Sequence, residues 1–311
     1  MYYPFLRARQ FELIALRELA IERMTQGFIV PILEPVKETY NNLNLAYKVF
    51  QEQQQLAYLI VNPTVGEQPG DNNHILNYLA ELEESTIRPA FHYHNNADYI
   101  RQRILDYTLN NCMLICQNDV SADDADFRDL VQLAEINTIN IEDPGRNRTL
   151  HRFLRELNKL YIRLDDLFEK QDRNSDFLNI AEHRFSEEHL YFTEEGYSGF
   201  SDYTVLPSEY SDSGSTPRAV VIHLTYLNRL NQIWIRHFTS ESNDSIANVQ
   251  GKFAEAAGKA IRYCRSNNLT NSAIQELETY FDDGHYPGLG LVKKMSIKNH
   301  LLVIGQYLRT R

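Results

Sequence analysis

The 311-residue sequence predicts an α/β protein built as one parallel (β/α) barrel of the TIM type. Five short apolar runs, at 28–35, 57–63, 87–93, 112–117 and 138–142, are separated by about 20 residues each, and the separating segments carry a helical pattern. Strands alternating with helices in this way form parallel sheets through right-handed crossovers. No GxGxxG or Walker loop follows the first run, where an open nucleotide-binding sheet would carry one, so the alternation points to a barrel.

The elements follow in order. Leu13, Leu16, Ala20 and Met24 fall on one stripe at spacings of three and four, and Gly27 is placed to stop that first helix. Later stripes are Ile100 and Ile104, then Phe127, Leu130, Val131 and Ala134, then Leu150, Phe153, Leu154, Leu157 and Tyr161. Each can cover one outer face of the sheet. Beyond Tyr161 the regularity ends. Residues 165–173 are highly charged and 186–215 are rich in aromatic, Gly, Ser and acidic residues, which predicts an irregular insertion around 165–215 near one mouth. Two β-like runs, 219–226 and 232–238, read either as a hairpin or as the last barrel strands. The tail is helical, with Phe253, Ala257, Ala260, Ile261 and Cys264 on one face and Leu301, Ile304 and Leu308 on another. No repeat or linker interrupts the chain, so residues 1–311 are expected to form a single barrel domain.

Composition narrows the function classes. At 43% hydrophobic the chain can bury a full core, yet its longest apolar stretches are strand-sized, far short of the ~20 residues of a membrane span. No basic, apolar and small-residue succession marks a signal peptide, and Cys112, Cys116 and Cys264 form no CxxC pair or even-numbered framework. A reducing, cytoplasmic setting is expected. With 42 acidic against 31 basic side chains, the net charge of −11 opposes a broad grip on nucleic acid, leaving only a local basic pocket open.

Strand alternation then places the polar residues. Val30, Ile32 and Glu34 share a face, as do Ala90, His92 and His94, then Thr138, Asn140 and Glu142, then Val221, His223 and Thr225. In a barrel the C-terminal strand ends form the active face. Glu34, His92, Glu142 and His223 are therefore the candidate catalytic set, since carboxylates and imidazoles in a partly dry pocket have their pKa values pushed apart and can serve as acid and base. Arg236 and Lys294 are candidates for holding an anionic group; Lys294 follows the Pro287–Gly290 turn together with Lys293 and Lys298. Asp202 and Tyr203 close a Gly-, Tyr- and acid-rich segment of the kind that forms binding loops. His92 and His94 could complete an N/O site with Glu142, Asp143 or His223, but no four-ligand pattern accompanies them, and no metal or cofactor is assigned.

The wording of the chain also resembles a family. Tyr2-Tyr3-Pro4-Phe5-Leu6-Arg7 leading to Pro31-Ile32-Leu33-Glu34-Pro35 is similar to the opening of the bacterial and phage "beta protein" family. Phe185–Leu190, Gly199–Thr204, Ile222–Tyr226 and Lys294–His300 extend the likeness, to an uncharacterised bacterial branch, over nearly the whole chain. The resemblance implies a TIM-barrel-like single domain and a setting in prophages or mobile defence loci, at times beside a companion gene. It implies no reaction and no catalytic residues. The expected function is a hydrolase or lyase acting on a small anionic substrate, with a non-catalytic module binding a companion protein as the alternative.

Overall fold

The structure, a computed structural model, describes residues 1–82, 85–117, 120–212 and 216–310. Its centre is an eight-stranded parallel sheet in the order β1 (Phe5–Leu6), β2 (Ile32–Leu33), β3 (Ala57–Ile60), β4 (Ile87–His92), β5 (Cys112–Cys116), β6 (Ile136–Glu142), β7 (Leu160–Asp165) and β9 (Gly199–Asp202). The circle closes where the residues before β1 reach β9: the Tyr3 amide donates to the Phe200 carbonyl (2.8 Å) and the Phe200 amide to Met1 O (3.1 Å). The two backbones approach so closely that a Cβ at Gly199 would lie 2.7 Å from Met1 O. The five runs read from sequence are thus neighbours β2–β6, parallel and in chain order, in a TIM-type barrel.

Burial on both faces explains why those strands read as apolar runs. Inward-facing Phe5, Ile32, Ile60, Met113, Ile115 and Leu164 fill the lumen. The opposite face packs under an outer ring of helices that includes α1 (Gln10–Ile21), α2 (Asn41–Glu52), α3 (His74–Ala80), α4 (Ala97–Asp106), α5 (Ala125–Gln132) and α6 (Arg148–Arg155). Cys112, Cys116 and Cys264 are buried free thiols within this packing.

Two parts of the sequence reading change, and one open alternative is decided. Tyr161 lies in β7, because α6 ends at Arg155 and the helical stripe runs on by coincidence of spacing into the strand. The 165–215 segment is not merely an insertion. It carries β8 (Glu182–Ser186), the short α7 (Glu188–Tyr191) and β9, the strand that closes the barrel; residues 213–215 lie outside the described part. The runs at 219–226 and 232–238 are a hairpin, β10 (Val221–Leu227) and β11 (Ile233–Thr239), forming a separate antiparallel sheet with β8. On this sheet pack α8 (Val249–Ser266), α9 (Ser272–Asp282) and α10 (Leu289–Arg309), the last also lying against α1. No helix among the described residues is long and apolar enough to cross a membrane.

Candidate active site

The inward parity of six barrel strands delivers one polar side chain each to the C-terminal mouth. Arg7 follows Phe5 of β1, Glu34 follows Ile32 of β2, His92 ends β4, Gln117 follows Ile115 of β5, Glu142 ends β6 and Tyr203 follows β9. Asn62, just past β3, fixes the register here. Its amide nitrogen donates to the His92 carbonyl (2.9 Å) while its oxygen accepts from the His92 backbone N–H (2.8 Å).

Glu34 is fully buried and saturated with donors. It accepts from the Thr64 backbone N–H (2.7 Å) and hydroxyl (3.1 Å), lies 3.2 Å from His92 Nε2, and is ion-paired with the Arg7 guanidinium. Burial, aided by the Arg7 charge, pushes the His92 imidazole down to about 3, so it is neutral. A carboxylate only accepts, so the contact with Glu34 requires the tautomer with hydrogen on Nε2. Arg7, its own pKa lowered by burial, also donates to Ser208 O (2.5 Å) and lies over the rings of Phe5 and Tyr203 at 5.1 and 5.8 Å.

Across the mouth, Glu142 meets a different environment. Burial raises its pKa, the negative charges of Asp166 and Asp143 add to the effect, and a Tyr203 hydroxyl donating at 3.1 Å opposes it. Tyr203 in turn accepts from Gln117 Nε2 (2.7 Å), and burial next to Glu142 holds its phenol protonated. Glu142 lines a cavity of about 560 Å³ with Gln117, Asp143, Arg146, Asp165 and Asp166. Gln117 also lines a second cavity, of about 330 Å³, together with Thr64, His92 and His94. Beneath Glu142 on the same face of β6, Asn140 is wholly buried, with neither its amide nitrogen nor its oxygen hydrogen-bonded.

The structure therefore brings together Glu34, His92, Glu142 and Tyr203, and leaves four expected residues elsewhere. His223 sits in the antiparallel sheet, its Nδ1 2.6 Å from Nδ1 of His237, under Phe168 and Phe177. Arg236, in the same sheet, pairs with Glu182 (3.1 Å) and lies 4.3 Å over the Tyr263 ring. Lys294 is buried in α10, its ammonium shared between Glu18 and Glu276 at 2.6 to 3.1 Å, so it has no free charge for an anion. Lys293 and Lys298 are likewise taken up by Glu12, Glu18 and Glu22. Asp202 points out of the barrel, accepting from the Tyr2 hydroxyl (2.5 Å) with His300 3.5 Å away. Arg7, Thr64 and Gln117 were not singled out in the sequence. The parity Met113, Ile115, Gln117 carried the signal for the last of these.

Among the described residues no group of three or more His, Cys, Asp or Glu is arranged to hold a metal ion; His94 is half exposed and 3.4 Å from Asp71.

Three buried imidazoles have a measurable consequence. Burial pushes His92, His223 and His237 well below the ordinary 6.5. In the unfolded chain they take up protons as pH falls below 6.5 while the native state does not, so their contribution to stability is present above that pH and lost on acidification. Glu188, pushed up to about 7 by burial, works in the opposite sense. His237→Leu is therefore expected to flatten the fall of urea-unfolding free energy between pH 6.5 and about 5, by up to about 1.4 kcal/mol per pH unit. An unchanged slope would contradict a buried neutral His237.

No family model matches the sequence, and no curated protein matches it either. Among solved structures, the fold is similar to the crystal structure of N-acetylneuraminate lyase from Mycoplasma synoviae, at 10% sequence identity and a TM-score of 0.41, over 99% of this chain and 96% of that one. The barrel assignment rests on the strand order and its closure.

Proposed function

We propose that the protein is a barrel enzyme performing general acid–base chemistry at the mouth, a hydrolase or lyase acting on a small polar substrate. The observation that carries this reading is Glu142, a half-buried carboxyl with a raised pKa that lines the 560 Å³ cavity and takes a hydrogen bond from Tyr203. A carboxyl moved toward neutrality exchanges protons with substrate where an ordinary surface carboxylate would stay ionised. In this reading Glu142 is the catalytic acid or base. Tyr203 and Gln117 orient it, and the Arg7, Glu34 and His92 cluster braces the opposite rim. Because Asp143, Asp165 and Asp166 share the cavity with one cation, Arg146, itself paired with Asp143 (2.6 Å), and Lys294 and Arg236 are engaged elsewhere, an uncharged or cationic substrate fits better than the anion expected from sequence. The mobile-defence setting implied by the family resemblance belongs to the same proposal.

The test is a chromogenic panel of nitrophenyl glycosides, esters and phosphates, with phage challenge of a host expressing each variant alongside. Glu142→Gln is expected to lower turnover of the best uncharged member about 10²- to 10⁴-fold with an unchanged melting temperature. Equal turnover or equal protection by the variant would sink the catalytic reading and favour a module that binds a companion protein.

A further inference from the structure

Away from the mouth, a cavity of about 590 Å³ opens where the end of β10, the turn between β10 and β11, the turn between α8 and α9, and the C-terminal half of α10 meet. In a chain that is 23% charged, its described lining contains no Lys, Arg, His, Asp or Glu. An ion entering it would lose hydration without gaining a countercharge, so the lining selects an uncharged ligand.

What the lining offers instead is carboxamide. Two of these groups are spent on the wall itself. Asn271 accepts from the Ala273 and Ile274 backbone N–H groups (3.0 Å each) and donates to Asn299 Oδ1 (2.9 Å), while Asn299 donates to Thr225 O (3.0 Å). That bonding fixes the floor. Three more, Asn231, Asn268 and Gln306, are exposed at the rim, and their side chains make no hydrogen bond to the described residues. The apolar part of the lining is supplied by Leu227, Leu269, Ile274 and Val303 together with Tyr226 and Tyr307.

A carboxamide presents a donor and an acceptor side by side, and it pairs bidentately with a ring edge of the same pattern, as Asn and Gln do with adenine. Apolar and aromatic lining accepts the flat face of such a ring, and a few polar groups orient it. We propose that this cavity is a second ligand site, which binds an uncharged nucleobase-type heterocycle, as free base or nucleoside. The site is separate from the acidic mouth and shares no residue with it.

Titration calorimetry of the full chain with adenosine, guanosine, cytidine and uridine, and with glucose as the uncharged non-planar control, tests this. At least one nucleoside is expected to bind with a Kd below about 1 mM. Val303→Trp and Leu269→Trp, each filling the cavity, should weaken binding at least about tenfold, and the double change Asn268→Ala, Gln306→Ala at least about fivefold. Glu142→Gln should leave it unchanged. Two independent filling variants, each checked by thermal melt, keep the test decisive if one fails to fold. The proposal is overturned if no nucleoside binds at about 5 mM, if glucose binds as well as the nucleosides, if binding survives both Trp variants, or if it disappears in Glu142→Gln.

Discussion

Glu34→Ala is expected to destabilise the protein by about 3–5 kcal/mol, read as a fall in the urea midpoint at unchanged slope. The carboxylate is fully buried, and removing it strands four groups on three residues at once: the Arg7 guanidinium, the Thr64 N–H and hydroxyl, and the Nε2–H of His92. Arg7 is the costly one, because its side chain is only 14% exposed and a buried cation left without its counterion keeps the desolvation penalty and loses the attraction. The control is the double change Arg7→Met, Glu34→Met, which removes both charges and keeps volume. Recovery of much of the lost stability in that variant identifies the stranded charge as the cause. A Glu34→Ala cost below about 1 kcal/mol would mean that water reaches Arg7 and that the mouth is open there.

The second large effect is expected at Lys294→Ala, at the lower end of the same range, about 3 kcal/mol. The side chain is 2% exposed and its ammonium bridges Glu18 on α1 to Glu276 on α9, tying α10 to a helix of the barrel ring and to its neighbour on the antiparallel sheet. Glu18 and Glu276 are 32% and 25% exposed, so water partly replaces the lost partner, which keeps the cost below that of Glu34→Ala. Lys294 and Lys298 together draw the Glu18 carboxyl below its usual pKa against the effect of burial. The Lys294 part of the stabilisation is therefore lost as pH falls through the carboxylate range, and the wild type and Lys294→Met should converge in stability on acidification.

These two residues mark what the sequence could and could not tell. Glu34 was legible because β2 to β6 are buried on both faces, so each strand stood out as an apolar run and simple alternation put its terminal polar residue inside the mouth. His92 and Glu142 followed by the same rule. Alternation names a face and says nothing about which sheet the face belongs to, which is why His223, correctly opposite Ile222 and Leu224, turned out to lie in the antiparallel layer beside His237. Lys294 looked free because its partners are 276 and 18 residues away in the chain. The closing strands were hidden for another reason. β1 has two residues, and β9 reads Gly-Phe-Ser-Asp, half polar, because Ser201 donates to the Tyr3 carbonyl (2.5 Å) and Asp202 receives Tyr2 from the other side.

That closure also sets the order in which the molecule can be made. Tyr2 and Asp202 are 200 residues apart, so on the ribosome β1 emerges early and waits through the synthesis of six further barrel strands before its second neighbour exists. At about 5–20 residues per second that is a delay of tens of seconds, during which β1 presents an unpaired edge to any other nascent chain. The brevity of β1, with Pro4 just before it and Arg7 just after, limits what that edge can template.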